Sequence, residues 1–167
     1  MLPLRTAAAI GLAVGVSAAS AHAAKPNPDG YFVVNASRHS VQLTLLAGLD
    51  GSNDGFNFDG YGRGEMLVSV PVGWRLVVVC ASHGSARFSC AVVRNSLSTQ
   101  PAFRGAASPS PTVGLDPGGK ATFSFVAARV GTYRIASLVP GQEQARMWDV
   151  LDVTRGGRPS ISARPGP

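Results

Sequence analysis

Histidine and cysteine are scarce in this chain, with three and two copies in 167 residues. One histidine, His22, falls in an N-terminal leader-like stretch, so the remainder offers only His39 and His83. A hydrolase needs a nucleophile with a base at hand, and two histidines far apart in the chain provide no such constellation. Paired carboxylates are equally hard to find. Asp149 and Asp152 fall on opposite faces of one strand by period-two counting and are expected near solvent. "GYGRGE" is rich in glycine but precedes a strand and not a helix, so it is not a phosphate loop of recognised form. No enzymatic activity is expected. The basic residues do not gather into a stripe with stacking aromatics, which argues against nucleic acid as a partner. Beyond the leader no apolar run approaches the roughly 18 residues a membrane span requires.

What the chain does contain begins with an address. Arg5, the apolar stretch "AAAIGLAVGVSAAS" and the small-residue sequence "AHA" read as a secretory signal peptide over residues 1–23. The expected product is soluble and periplasmic or secreted. Its partner is expected to be another exported protein. Without Arg5 the chain keeps 14 basic residues against 9 acidic, a formal charge of +5. That balance favours solubility and weak attraction to anionic surfaces. In an oxidising compartment the lone pair Cys80 and Cys90 is read first as a disulfide, formed if "WRLVVVC" and "FSCAVV" are antiparallel neighbours. A thiolate metal ligand is the competing reading.

Strand signals dominate the rest. In "VQLTLLA", Val41, Leu43 and Leu45 alternate with Gln42 and Thr44, the period of a half-buried strand. In "ATFSFVA", Phe123 and Phe125 share a face and are expected in the core. "YFVV", "MLVSV", "WRLVVVC", "FSCAVV", "TYRIAS" and "MWDVLDV" complete about eight strands, separated by Gly/Pro-rich turns. This pattern predicts an all-β fold, a Greek-key antiparallel β-sandwich spanning residues 24–153. The aperiodic stretch from Asn95 to Lys120 is expected to cross between sheets. Residues 154–167, rich in Arg, Gly and Pro, are expected to form a disordered tail.

Two longer motifs are more specific. "FNFDGYGRGEMLVSVPVGW", Phe56 to Trp74, and "GTYRIASLVPGQEQARMWDVLDV", Gly131 to Val153, resemble elements of sulfocyanin-like cupredoxins. The likeness covers roughly Tyr31 to Val153, with Asp59 standing where the family usually has Asn. It implies a cupredoxin-like sandwich, a type 1 copper centre and electron transfer. Such a centre needs two imidazoles, a thiolate and a weak axial Met. The positions matching the family's ligands hold Phe88, Ser137, Gln142 and Met147, so only the weakest ligand remains. A makeshift site from His83, Cys90 and Met147 would require Cys90 to be a free thiol. The preferred reading is a degenerate site with no cofactor, in a binding or structural module. The alternative is a copper-binding electron-transfer protein.

Overall fold

The computed structural model describes residues 25–165. The expected signal peptide lies outside them. Nine strands form two sheets packed face to face. The first sheet contains β1 (Phe32–Asn35), β2 (Ser40–Ala47), β4 (Arg75–Ser82) and β6 (Lys120–Val126), in the order β1-β2-β4-β6. The second contains β3 (Met66–Pro71), β5 (Ala91–Val93), β7 (Gly131–Ala136), β8 (Trp148–Thr154) and β9 (Ser160–Ala163), in the order β5-β7-β8-β3-β9. Among the described residues no helix is long and apolar enough to cross a membrane.

The all-β sandwich is as expected, but the pairing is mixed: β2 and β4 are parallel, as are β3 and β8. The reason is topological. β3, which lies between β2 and β4 in sequence, belongs to the opposite sheet, so the chain crosses the sandwich and returns beside β2 in the same direction. The alternation in β2 faces inward as predicted, with Val41, Leu43 and Leu45 buried against Leu76 and Val78 of β4. Met66, Val68 and Val70 of β3 and Leu151 and Val153 of β8 close the core from the other side. Full burial of each such side chain contributes about 1.5–3 kcal/mol. Phe125 is buried and Phe123 half-buried at the core edge. Phe125 stacks on Phe103 of the connector, with ring centroids 5.4 Å apart.

Cys80 and Cys90 form a disulfide with Cα atoms 5.9 Å apart. They are not neighbours in one hairpin: Cys80 lies in β4 of the first sheet and Cys90 just before β5 of the second. The bridge therefore ties the two sheets together across the core. Replacing both cysteines with alanine is expected to lower the unfolding free energy by about 2–3 kcal/mol, the loop-closure value for so short a ring. Urea unfolding would measure it, and a loss well under 1 kcal/mol would show that packing alone fixes the sheets.

Among the described residues of the expected tail, 154–165, disorder is not what the structure shows. Ser160–Ala163 adds a ninth strand, antiparallel to β3 with Ser69 opposite Ser160 and Met66 opposite Ala163. Ile161 is buried, the Arg164 backbone N–H donates to Glu65 O at 2.7 Å, and its Nε donates to Gly64 O at 2.7 Å. A poor apolar composition argues for disorder only when side chains must supply the ordering energy. Here the free edge of β3 supplies backbone hydrogen bonds that composition does not register. The connector between β5 and β6 crosses from one sheet to the other as expected. Bridges at Val93 with Pro101, Ala91 with Ala107 and Phe88 with Leu115 hold it down.

Candidate functional site

The segment between β7 and β8, Ser137 to Met147, folds into a compact loop at one end of the sandwich. The Val139 carbonyl accepts from Gln142 N–H at 3.1 Å, and the Gln142 carbonyl accepts from Met147 N–H at 3.0 Å. Gly141 enables the turn with φ +87°, a left-handed conformation that disfavours side chains. The motif from Phe56 to Trp74 and the residues just before it support the loop. Arg63 N–H donates to Arg146 O at 2.9 Å, Gly64 N–H to Trp148 O at 2.8 Å, and Asn53 Nδ2 to Ala145 O at 3.0 Å. The two motifs singled out in the sequence are thus one structural unit.

Phe88, Ser137, Gln142 and Met147 are all buried, and hydrogen bonds join the polar pair Ser137 and Gln142. Ser137 Oγ donates to Gln142 Oε1 at 2.6 Å and accepts from Ser89 N–H at 3.1 Å. With its proton committed to Gln142, Ser137 Oγ can only accept from Ser89 Oγ, 3.2 Å away. Ser89 Oγ in turn accepts from Leu138 N–H at 2.8 Å. Gln142 Nε2 donates to Arg87 O at 2.8 Å, which sets the amide orientation, since the flipped amide would place oxygen against oxygen. The chain of donors runs in one direction from Leu138 N–H to Gln142. Leaving any one of these buried groups without a partner costs about 1–3 kcal/mol.

The Phe88 ring occupies the space beside this network. It packs between two glycines: a Cβ on either Gly48 or Gly84 would come within 2.6 Å of its Cε2. Phe56 meets it edge-on with centroids 6.4 Å apart.

Copper does not fit these residues. A phenyl ring offers no lone pair, the serine hydroxyl is neither soft nor acidic, and both ends of the Gln142 amide are already engaged. Met147 alone is a weak ligand. The makeshift site fails as well, because Cys90 is bonded to Cys80 and has no thiolate to give. His83 is exposed near the Phe88 end. His39 is exposed at the opposite end, against Trp74, where its carbonyl accepts from Arg75 N–H. Among the described residues no group of three or more His, Cys, Asp and Glu side chains could hold a metal ion.

Some residues of this region escaped sequence reasoning. Glu143, buried in the loop, accepts from Arg134 Nη1 at 2.7 Å and from Leu97 N–H at 2.7 Å. The Arg134 guanidinium lies 4.0 Å over the Trp148 ring. This knot fastens the loop to β7 and to the connector, and nothing in the local sequence announces it. Asp149, expected near solvent, is fully buried in β8, where its Oδ1 accepts from Met66 N–H at 2.9 Å. Asp59 is also fully buried, its Oδ1 accepting from Leu46 N–H at 2.8 Å. The second oxygen of each carboxyl has no partner. Burial pushes the Asp59 carboxyl up to about 7, against the smaller opposing effect of the Leu46 hydrogen bond. Burial raises Asp149 well above the usual carboxylate range too. The residue departing from the family pattern at position 59 could have flagged the first.

No curated protein matches the chain. Reduced auracyanin from Roseiflexus castenholzii is 19% identical, with 68% of this chain and 96% of that chain covered and a TM-score of 0.47. Auracyanin A of Chloroflexus aurantiacus, described as a "blue" copper protein, is 14% identical, with 69% and 99% covered and a TM-score of 0.47. The multicopper oxidase Fet3p, which functions in iron import, is 18% identical with a TM-score of 0.50, and 69% of this chain aligns to 23% of that one. At such identities the likeness concerns the fold alone. The model of the sulfocyanin (SoxE) domain matches residues 30–157, most of the chain and all of the site just described, so this protein belongs to the sulfocyanin domain family.

Proposed function

We propose that this chain is an exported, metal-free sulfocyanin-family protein that serves as a binding or structural module and not as an electron carrier. One observation carries the reading. The positions matching the family's ligands are occupied by side chains that satisfy one another, through the chain of bonds from Leu138 through Ser89 and Ser137 to Gln142 and the wedge of Phe88. A site kept for a metal would leave lone pairs free to ligate it. The disulfide supports export to an oxidising compartment. The contact region we favour is the pole around the loop. Leu97 and Val113 are 59% and 54% exposed there, and Leu97 and Val139 border a hollow of about 230 Å³. Leu97 is held at φ +58°, a strained conformation for a branched side chain that the Glu143 contact sustains. The partner would be another exported protein.

Titrating the exported chain with Cu(II) and with Cu(I), under oxidising and reducing conditions, tests the reading. We expect no stoichiometric tight binding and no visible absorption band. A one-to-one complex or an intense blue colour would overturn it. That result would favour the second reading, copper-dependent electron transfer, to which family membership and the buried Met147 point.

A further inference from the structure

The opposite end of the sandwich carries a different feature. Arg75 opens β4 and Val126 closes β6, and both border a hollow of about 670 Å³ that also takes in Phe103, Arg104, Phe125 and Arg129. Phe88 and the degenerate site lie beyond the other ends of these strands, next to Gly84 and Leu115. The floor is apolar. Phe103 stacks on Phe125 with planes within 10°, and its other neighbour is Tyr133 at 4.7 Å between centroids.

The rim is cationic. Arg75, Arg104 and Arg129 are exposed, no acidic residue borders the hollow, and among the described residues none of the three forms an ion pair. Their engagements within the protein are neutral: Arg129 Nη2 donates to Ala102 O at 3.2 Å and Arg75 Nη1 to Ser124 Oγ at 3.4 Å. The wall is fixed in place, since Gly105 sits so close to β6 that a Cβ there would meet Ser124 O at 2.9 Å.

Among the described residues none of the three guanidinium forks is matched to a carboxylate, and their planar geometry suits phosphate or carboxylate. The volume lies in the range of small-molecule sites, about 300–1,000 Å³, in which an apolar lining with a few polar groups is the usual composition. We propose that this hollow binds a small soluble amphipathic anion, with a phosphate or carboxylate head held by Arg75, Arg104 and Arg129 and an apolar body against the exposed Val126 and Ala128 and the edge of Phe103.

Calorimetric titration of the exported chain with 1-naphthyl phosphate tests this, with 1-naphthol, inorganic phosphate and phosphatidylglycerol vesicles as comparison probes. The expected result is one-to-one binding of naphthyl phosphate at least about tenfold tighter than of naphthol or phosphate, as expected when head and body both contribute. Arg75→Glu and Arg104→Glu should each weaken it by about tenfold or more. Both residues are exposed, so circular dichroism should confirm an unchanged fold. Lys120→Glu, the same charge change at the far end of β6, should leave the affinity unaltered. Equal loss in Lys120→Glu, equal affinity for inorganic phosphate, or binding to vesicles without binding of the soluble probe would each overturn the proposal.

Discussion

The triple variant Phe88→His, Ser137→Cys and Gln142→His is expected to bind one copper ion per chain and to turn intensely blue, while the parent protein does neither. The expectation rests on geometry. Ser89 N–H lies 3.1 Å from Ser137 Oγ, and that hydroxyl lies 2.6 Å from the Gln142 amide, so positions 88, 137 and 142 converge. Met147 is buried in the same loop to serve as the weak axial ligand. A cysteine at 137 places sulfur where Oγ now stands, and the Ser89 N–H would then point at the thiolate, a contact that tunes such centres. Removing the Phe88 ring vacates the cradle of Gly48 and Gly84 for an imidazole of smaller volume. Two imidazoles, a thiolate and a thioether in one place are the donor set a type 1 centre needs, and the thiolate gives the colour. The apo variant should be less stable than the parent, because the bonds from Ser137 to Gln142 and from Gln142 to Arg87 are lost. Copper should then restore stability by mass action. Absorbance and metal stoichiometry decide the matter: a folded variant that stays colourless and metal-free would show that the ligand positions are wrongly matched.

The second large effect is expected at Asp59. Burial holds its folded-state carboxyl at about 7, against a usual value of 3.8. Below that usual value both states are protonated and the residue contributes nothing pH-dependent. Between it and about 7 the folded state holds a proton that the unfolded state has released, so stability falls as pH rises through this window and levels off above it. A shift of this size corresponds to a loss on the order of 4 kcal/mol at alkaline pH. Asp59→Asn keeps an oxygen to accept from Leu46 N–H and cannot ionise. The variant should be more stable than the parent above pH 7, by up to that amount, and close to it at pH 4. Asp149, raised in the same direction, remains in both proteins, so the variant should keep part of the decline. Its share should shrink, because the Asp59 charge is one of the causes that raise Asp149. Urea unfolding at pH 4, 6 and 8 gives the comparison, and an advantage that does not grow with pH would refute a buried, titrating Asp59.

Much of the fold was legible in particular residues. Val41, Leu43 and Leu45 announced an inward face because a strand turns successive side chains to opposite sides, and all three are buried. The family was legible in the motifs Phe56 to Trp74 and Gly131 to Val153, which lie within the residues the sulfocyanin domain matches. Other features were not visible. "SISA", Ser160–Ala163, carries one buried apolar residue, and its order comes from the edge of β3, nearly a hundred positions away in the chain. Asp149 looks like any polar residue near a strand end. Only the tertiary fold shows that its carboxyl is fully buried against Met66 of β3.

By itself the sequence determined the sandwich and the family likeness, because these depend on local periodicity and on motifs continuous along the chain. Tertiary structure alone decided that Cys80 and Cys90 join two sheets, that Ser89, Ser137 and Gln142 satisfy one another, and that Arg75, Arg104 and Arg129 line one hollow. Each of these relations joins residues from different strands or connectors. Hydrogen bonds and disulfides act over a few ångströms in space, and no local pattern along the chain encodes that proximity.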